Sequence, residues 1–89
     1  MSIQLTWDEG KRKTSMVERG LDFSDAHAVF LTATVEFEDT RENYGEKRMI
    51  CYGFFNDRLL VVGYVKRGNK RHIFSMRKAN EREKTKFGQ

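Results

Sequence analysis

The sequence contains no proline and a single cysteine, Cys51, so it lacks both the strongest chain breaker and a pair of thiols for a disulfide bond. Cys51 lies in an apolar run, where we expect a small buried hydrophobic side chain, and nothing indicates an oxidising compartment. The longest apolar run, LLVVGYV, is too short to span a bilayer, and MSIQLTWDEG has no signal-peptide pattern. We therefore expect a cytoplasmic protein with no membrane contact.

Motifs for several common catalytic chemistries are also absent. The two histidines, His27 and His72, fit neither H-E-x-x-H nor a Cys/His spacing, and no run of alternating aspartates resembles a calcium loop. The sequence has no G-x-x-x-x-G-K or G-x-G-x-x-G phosphate loop, and FSMRK lacks the glycines of a nucleophile elbow. We therefore expect no metal and no cofactor, which leaves metal-free chemistry on phosphodiesters as the remaining enzymatic interpretation.

Positive charge is concentrated in the second half of the chain. Residues 1–45 carry 5 Lys and Arg against 9 Asp and Glu, whereas residues 46–89 carry 12 against 4, so the halves have net charges of −4 and +8. This asymmetry is typical of a surface that binds a polyanion such as nucleic acid, although solvated helices and strands also favour lysine. With 34% charged and 38% hydrophobic residues, we expect one globular domain over residues 1–89.

Apolar patterning predicts an α+β fold. IQLTW alternates as a half-buried strand with Ile3, Leu5 and Trp7 on one face, and a first helix follows, capped by Asp8 and closed by Gly20. A second, shorter helix is predicted from the capping residue Asp22 and an apolar stripe formed by Phe23, Ala26, Val29 and Phe30. These helices are expected to pack on the sheet that follows.

The sheet is predicted from four segments rich in β-branched and aromatic residues: TATVEFED, KRMICYGFF, RLLVVGYVKRG and KRHIFSMRK. The short turns FND and RGN make the last three strands an antiparallel meander. Asn80 and Glu83 then stand at capping-box spacing before a terminal helix EREKTKF, which needs to dock through Phe87 because two turns are marginal alone.

Strict alternation along the last strand would divide its side chains between the two faces of the sheet. One face would carry Arg71, Ile73, Ser75 and Arg77, and the other His72, Phe74 and Met76. We further expect Arg48, in an antiparallel neighbour, to lie beside Ser75 and Arg77. Such an arrangement would place two cations and a hydroxyl group around a phosphate.

RNA can be cleaved without a metal ion because its own 2′-hydroxyl group can attack the adjacent phosphate. The protein then needs to move protons and to stabilise the negative charge of the phosphate, tasks that suit histidine and arginine. On this basis Arg48, Arg77 and His72 are candidate site residues, with the hydroxyl of Ser75 beside them. Ser75 can equally bond a backbone group, and His27, between two alanines, is better explained as a helix-surface or core-edge residue.

The order of the segments WDEGK, ERGLDFSDAHAVF, EKRMICYGF, RLLVVGYVKRG and HIFSMRKANERE resembles the BrnT family, the ribonuclease toxins of type II toxin–antitoxin systems. The resemblance covers about Trp7 to Phe87, and its most specific parts are Trp-Asp-x-x-Lys near the start and Ile-x-Ser-x-Arg-Lys-Ala near the end. The signature positions are Trp7, Asp8, Lys11, Arg48, Ser75, Arg77, Lys78, Ala79 and Glu83.

This resemblance implies a RelE-like fold and a metal-independent endoribonuclease that acts on RNA. It also implies a partner antitoxin of the BrnA type with a ribbon-helix-helix DNA-binding domain. Toxin and antitoxin would together repress their own operon, so that operator DNA is contacted only through the complex.

The chain departs from the family pattern in two regions, the first helix and the last strand. The family usually shows an Asn and then Lys-His-Gly at the end of its first helix, whereas here Ser15 replaces the Asn and Arg19 replaces the histidine. His72 stands where relatives more often have arginine, which places an imidazole at a different edge of the site. The catalytic candidates are therefore Arg48, Ser75, Arg77, His72 and Arg19, and the candidate RNA-binding residues are Lys11, Lys66, Arg71 and Lys78.

Two other functions remain open from the sequence. A non-catalytic nucleic-acid-binding module would use the same cations only to neutralise phosphates. A structural or degenerate toxin would instead use its basic face mainly to receive an acidic segment of the antitoxin. The ribonuclease, the binding module and the structural toxin all depend on where the cations lie around Ser75 in the folded chain.

Overall fold

The computed structural model describes residues 4–88, which form a five-stranded mixed sheet with helices against both faces. The strand order is β1-β5-β4-β3-β2. The elements are β1 Gln4–Trp7, α1 Glu9–Arg19, a 3₁₀ turn Phe23–Asp25, α2 Ala26–Leu31, β2 Val35–Glu38, β3 Arg48–Phe55, β4 Arg58–Arg67, β5 Lys70–Lys78 and α3 Glu81–Phe87. The α+β class is confirmed, and no helix among residues 4–88 has the length and apolar character needed to cross a membrane.

The N-terminal strand is the first difference from the sequence-based expectation. β1 pairs in parallel with β5, from Gln4 opposite Lys70 to Trp7 opposite Ile73, so the sheet is mixed and not purely antiparallel. The alternation of IQLTW predicts a strand but carries no information about a partner more than sixty residues away along the chain. Leu5 packs against the core as predicted, whereas Ile3 lies outside the described residues.

The first helix has the predicted ends. Asp8 accepts a hydrogen bond from the amide of Lys11 at 3.0 Å, and Gly20 ends the helix in the left-handed region with φ of 68°. The second predicted helix is split into the 3₁₀ turn and the six-residue α2. Asp22 caps the 3₁₀ turn and also accepts two hydrogen bonds from the guanidinium of Arg12, which lowers the pKa of this carboxyl group well below its usual range.

The two faces of the sheet bury separate apolar clusters. On the face that we call the helix face, residues of β3, β4 and β5 pack against the 3₁₀ turn and α2. The buried members of this cluster are Leu21, Phe23, Ala26, Val29, Cys51, Leu60, Val62, Tyr64, Ile73 and Met76. Cys51 is fully buried as expected, and this burial raises the pKa of its thiol to about 11.

On the opposite face, which we call the open face, α3 covers one end of the sheet. Asn80 and Glu83 form the predicted capping box. Phe87 lies 4.4 Å from the ring of Tyr52, measured between centroids, so the predicted docking of α3 through Phe87 is confirmed. The other end of the open face, around Arg48, is not covered by a helix within residues 4–88.

A bulge in β5 overturns the expected alternation of its side chains. Gly63 pairs with Ser75 and Tyr64 pairs with Ile73, so Phe74 has no partner in β4. Ile73 and Met76 therefore share the helix face, although strict alternation would separate them. The register places His72, Ser75 and Arg77 together on the open face, whereas Arg71 stays on the helix face with Ile73.

Glycine at position 63 makes this bulge possible. A Cβ atom at Gly63 would lie 2.7 Å from Cζ of Phe74 and 2.7 Å from Oγ of Ser75. The space left by the missing side chain is therefore occupied by two consecutive residues of the bulged strand. A period-two pattern cannot reveal such an extra residue, which explains why the expectation was wrong.

We expect Gly53→Ala to destabilise the fold because the chain of α2 passes directly over β3. A Cβ atom at Gly53 would lie 2.1 Å from the carbonyl oxygen of Val29, a backbone atom that cannot rotate away. Overpacking of this kind costs about 1–3 kcal/mol, measurable as a lower free energy of unfolding in urea. Val17→Ala, at a position that is 86% exposed, is the control and should change little. Equal stability of Gly53→Ala and the wild type would contradict the close packing of α2 on β3.

Candidate functional site

Arg48 is the centre of the uncovered end of the open face. Its guanidinium carbon lies 4.1 Å from the centroid of the Tyr44 ring and 4.6 Å from that of the Phe74 ring. No carboxylate of residues 4–88 forms an ion pair with it, and its buried Nε atom has no hydrogen-bond partner. Because the rings fix this cation and no carboxylate of the described residues neutralises it, its charge is well suited to an anionic ligand.

The loop between β2 and β3 holds Tyr44 against Arg48. Asp39 is buried, and its carboxylate accepts hydrogen bonds from the guanidinium and amide of Arg41 and from the hydroxyl of Tyr44 at 3.2 Å. The bonds from Arg41 lower the pKa of Asp39 well below its usual range, so the loop keeps an ionised anchor at neutral pH. The amide of Asp39 also bonds the carbonyl of Arg48 at 2.8 Å, which ties this loop to the start of β3.

His72 lies near Arg48 on the same face. Arg48 and His72 are both opposite Val65, on either side of β4, so their Cα atoms are about 10 Å apart. Nδ1 of His72 is 2.9 Å from the hydroxyl of Thr6, which orients the ring through the parallel β1–β5 pairing. Partial burial, assisted by the charge of Arg67, lowers the pKa of His72, so the neutral imidazole predominates at pH 7.

A cleft of about 530 Å³ continues from Phe74 to the edge of the sheet, between α1 and β5. Lys11, Arg19, Ser15 and Ser75 are among the residues that line it. The hydroxyl of Ser75 makes no hydrogen bond within residues 4–88, so the alternative expectation, that it bonds only a backbone group, is not met. Arg19 donates a hydrogen bond to the carbonyl of Met76 at 3.0 Å, which attaches the end of α1 to β5.

Arg77 lies on the same face but in a different cluster. The guanidinium forms two hydrogen bonds with Glu83, at 2.8 and 2.9 Å, and Glu83 also accepts one from the hydroxyl of Tyr52. The expectation that Arg48 and Arg77 are strand neighbours is wrong, because β4 separates their strands. Their register positions differ by about 13 Å along the strands and about 10 Å across them, so the two arginines cannot hold the same phosphate.

The candidate RNA-binding residues are divided among three places. Lys11 lines the cleft beside Ser75, whereas Lys66 and Arg71 line a different cleft on the helix face. Lys78 lies at the far end of the sheet, in a depression near the end of α3. The structure therefore places Lys11, Arg19 and Ser75 in one cleft, which Phe74 connects to Arg48 and its neighbour His72. Arg77, Lys66, Arg71 and Lys78 lie apart from this group.

Three residues at this site were missed by the sequence analysis: Thr6, Tyr44 and Phe74. Tyr44, an aromatic residue in an otherwise polar loop four positions before Arg48, is the only one with a local signal. Thr6 contacts His72 through a pairing that the sequence does not reveal, and Phe74 reaches Arg48 only because of the bulge. We use the term open-face site for Tyr44, Arg48, His72, Phe74 and Ser75.

Comparison with known proteins gives one result. The model of a family described as "Ribonuclease toxin, BrnT, of type II toxin-antitoxin system" matches residues 7–83. No curated protein matches the chain significantly. The matched segment includes every residue of the open-face site.

Within residues 4–88, no three His, Cys, Asp or Glu side chains are grouped so that they could hold a metal ion.

We expect His72 to destabilise the fold on acidification. The pKa of His72 is lower in the folded chain than its ordinary value of 6.5. As the pH falls through about 6.5, the imidazole therefore binds a proton more readily in the unfolded chain than in the folded chain. The free energy of unfolding decreases as a result. At higher pH the imidazole is neutral in both states and contributes nothing to this dependence. His72→Gln should therefore remove the loss of stability between about pH 7 and 5.5, measured from urea midpoints. His27→Gln, on the exposed surface of α2, is the control, and an equal flattening in both variants would contradict the assignment.

We expect Glu83→Gln to loosen α3. The hydrogen bonds from Arg77 are the main reason that the pKa of Glu83 falls to about 2 from its ordinary value of 4.5. The ionised carboxylate therefore contributes its full stabilisation at pH values above 4.5, and this contribution is lost as the pH falls towards 2. The glutamine side chain of this variant should lower the thermal midpoint of unfolding at pH 7, and it should remove part of the decrease in stability at acidic pH. Glu81→Gln, whose ion pair with Lys84 is exposed, is the control. Unchanged thermal midpoints in Glu83→Gln would show that Arg77 does not anchor α3 through this carboxylate.

Proposed function

Because the chain belongs to the BrnT family of ribonuclease toxins of type II toxin–antitoxin systems, we propose that it cleaves RNA without a metal ion at the open-face site. The observation that carries this proposal is the guanidinium of Arg48, which is stacked between Tyr44 and Phe74 and forms no ion pair within residues 4–88. Such a group can hold a phosphate with little loss of its own conformational freedom.

In the proposed reaction, the 2′-hydroxyl oxygen of RNA attacks the adjacent phosphorus and the bond to the 5′-oxygen breaks. The products are a 2′,3′-cyclic phosphate and a free 5′-hydroxyl group. Arg48 would bind the nonbridging phosphate oxygens and stabilise the extra negative charge of the pentavalent transition state. The position of the guanidinium beside two aromatic rings keeps bulk water from one side of it, which strengthens this interaction.

His72 would accept the proton of the attacking 2′-hydroxyl group. Its lowered pKa makes the neutral imidazole available as a base at pH 7, and the contact of Nδ1 with Thr6 leaves Nε2 to face the substrate. Ser75 would donate a hydrogen bond to the phosphate, Arg19 would bind the neighbouring backbone along the cleft, and Lys11 would donate the proton that the leaving 5′-oxygen takes up. Arg77 is assigned a structural role in holding α3 through Glu83, not a role in the reaction.

The same proposal includes the partner. We propose a RelE-like toxin that is inhibited by a BrnA-type antitoxin with a ribbon-helix-helix domain and that represses its own operon together with this antitoxin. The family description supports an antitoxin partner and an RNA substrate. A reading frame for a small ribbon-helix-helix protein beside this gene would support the type of antitoxin. Binding of operator DNA is assigned to the complex and not to the toxin alone.

A non-catalytic RNA-binding module is the second candidate. The observation that favours it is the presence of one histidine, His72, at a site where cleavage needs two proton transfers. In this case Arg48 and the cleft along α1 would bind the backbone, and affinity would fall steeply with salt without any cleavage. Lys11 is the residue that the first candidate requires as the second proton-transfer group.

We expect the purified protein to cleave single-stranded RNA in the presence of EDTA. Arg48→Gln should reduce the rate by roughly 100-fold, the usual cost of removing one transition-state hydrogen-bond donor, and Arg48→Lys should restore little because it lacks the planar fork. Arg82→Gln removes the same charge from the exposed side of α3 and is the matched control. Mass spectrometry should detect 2′,3′-cyclic phosphate ends, and DNA of the same sequence should stay intact. Intact RNA under all conditions, or ends with a free 3′-hydroxyl, would contradict the mechanism.

A further inference from the structure

A second arginine is held between aromatic rings on the helix face of the sheet. The guanidinium carbon of Arg71 lies 4.5 Å from the centroid of Phe30 and 4.8 Å from that of Tyr64. It forms no ion pair or side-chain hydrogen bond within residues 4–88, and none of its nitrogen atoms is both buried and unpaired. Its donors are therefore available to a ligand from solvent, while the rings fix the position of the charge.

Arg71 lies in a cleft of about 430 Å³ that also contains Lys47 and Lys66. Two carboxylates line the same cleft, but each has a partner. Glu46 forms an ion pair with Arg67 at 3.6 Å, and Glu36 accepts a hydrogen bond from the hydroxyl of Tyr64. The hydroxyl bond leaves the negative charge of Glu36 in place, but the three cations form no ion pair within the described part of the chain and outnumber this carboxylate, so the cleft keeps an excess of positive charge.

This cleft and the open-face site are at the same end of the sheet, on opposite faces. Arg48 is opposite Val65 in the register, and Lys66, the next residue of β4, is opposite Arg71. The β4–β5 turn, Gly68 and Asn69, joins the two faces at this end, and the exposed residues Arg67 and Lys70 flank it at the ends of the strands. Arg67 is paired with Glu46, whereas Lys70 forms no ion pair within residues 4–88. A cationic path therefore leads from Arg48, around the turn, to Arg71.

We propose that the cleft at Arg71 is a second phosphodiester-binding site, which holds the same RNA strand after it has passed around the β4–β5 turn. The substrate class rests on the proposed function, because the ligand is single-stranded RNA. Cations combined with aromatic side chains are typical of surfaces that follow a single strand, and the continuous path favours one long polyanion over a separate acidic protein segment. The site contributes to the binding of long RNA and does not touch the bond that breaks.

The test measures binding of a long single-stranded 2′-O-methyl RNA, which has no free 2′-hydroxyl group and is not cleaved. Arg71→Gln should weaken this binding by about tenfold, as expected for a lost charge-assisted contact, and should reduce the slope of log Kd against log salt by about 0.7. Arg58→Gln removes the same charge from the opposite end of β4 and is the matched control. The loss in Arg71→Gln should shrink on an oligonucleotide too short to pass around the turn.

Lys66→Gln is the second variant, because Lys66 is exposed and outside both apolar clusters, so its loss cannot unfold the core. Like Arg71→Gln, it should lower the affinity for the long RNA. If Arg71→Gln does not fold, this variant tests the second site by itself. Equal affinities of Lys66→Gln, Arg58→Gln and the wild type for the long RNA would overturn the second site. So would variants that bind RNA normally but lose the antitoxin, since that result assigns the cleft to an acidic protein segment. Cleavage by the wild type in EDTA is measured separately, so the proposed ribonuclease activity and this site can fail independently.

Discussion

The bulge at Phe74 is the constraint on which both faces of the sheet depend. If β5 paired regularly with β4 and Phe74 had its own partner, Met76 would leave the helix-face core and Ser75 would turn away from His72. Because the missing side chain of Gly63 accommodates the bulge, one small residue in β4 controls which face the β5 residues after Phe74 take. The same irregularity brings the ring of Phe74 against Arg48. A substitution that removes the bulge would therefore change both the core packing and the candidate site. Bulges are common beside functional sites, where they reorient side chains.

Stacking on aromatic rings is the way in which this small protein holds cations without neutralising them. An ion pair would also fix an arginine, but it would consume the charge that a polyanion needs. Arg77 illustrates this contrast, since Glu83 fixes it and leaves it little capacity for phosphate. Arg48 and Arg71 are held by rings instead and keep their charge without a carboxylate partner among residues 4–88. The chemical environment of each arginine, more than its position in the sequence, thus separates binding roles from structural ones.

The helix α3 links stability to the shape of the open face. Glu83 takes part in the capping box, pairs with Arg77 and accepts a hydrogen bond from Tyr52, so one carboxylate connects the helix to two strands. The contact of Phe87 with Tyr52 adds apolar burial at the same place. Because a helix of seven residues is marginal alone, these contacts decide where it lies and leave the end of the sheet around Arg48 uncovered.

The sequence alone determined the features that depend on neighbouring residues: the α+β class, the ends of α1, the capping box of α3, the meander of β3 to β5 and the excess of positive charge. It also singled out Arg48, His72 and Ser75 through residue chemistry and family resemblance. Only the tertiary structure decided which of these residues meet. The parallel β1–β5 pairing, the strand between Arg48 and Arg77, and the bulge at Phe74 all arise from contacts between distant segments. Local propensity and period-two patterning carry no information on such contacts, because register is set by the packing of whole strands against the core.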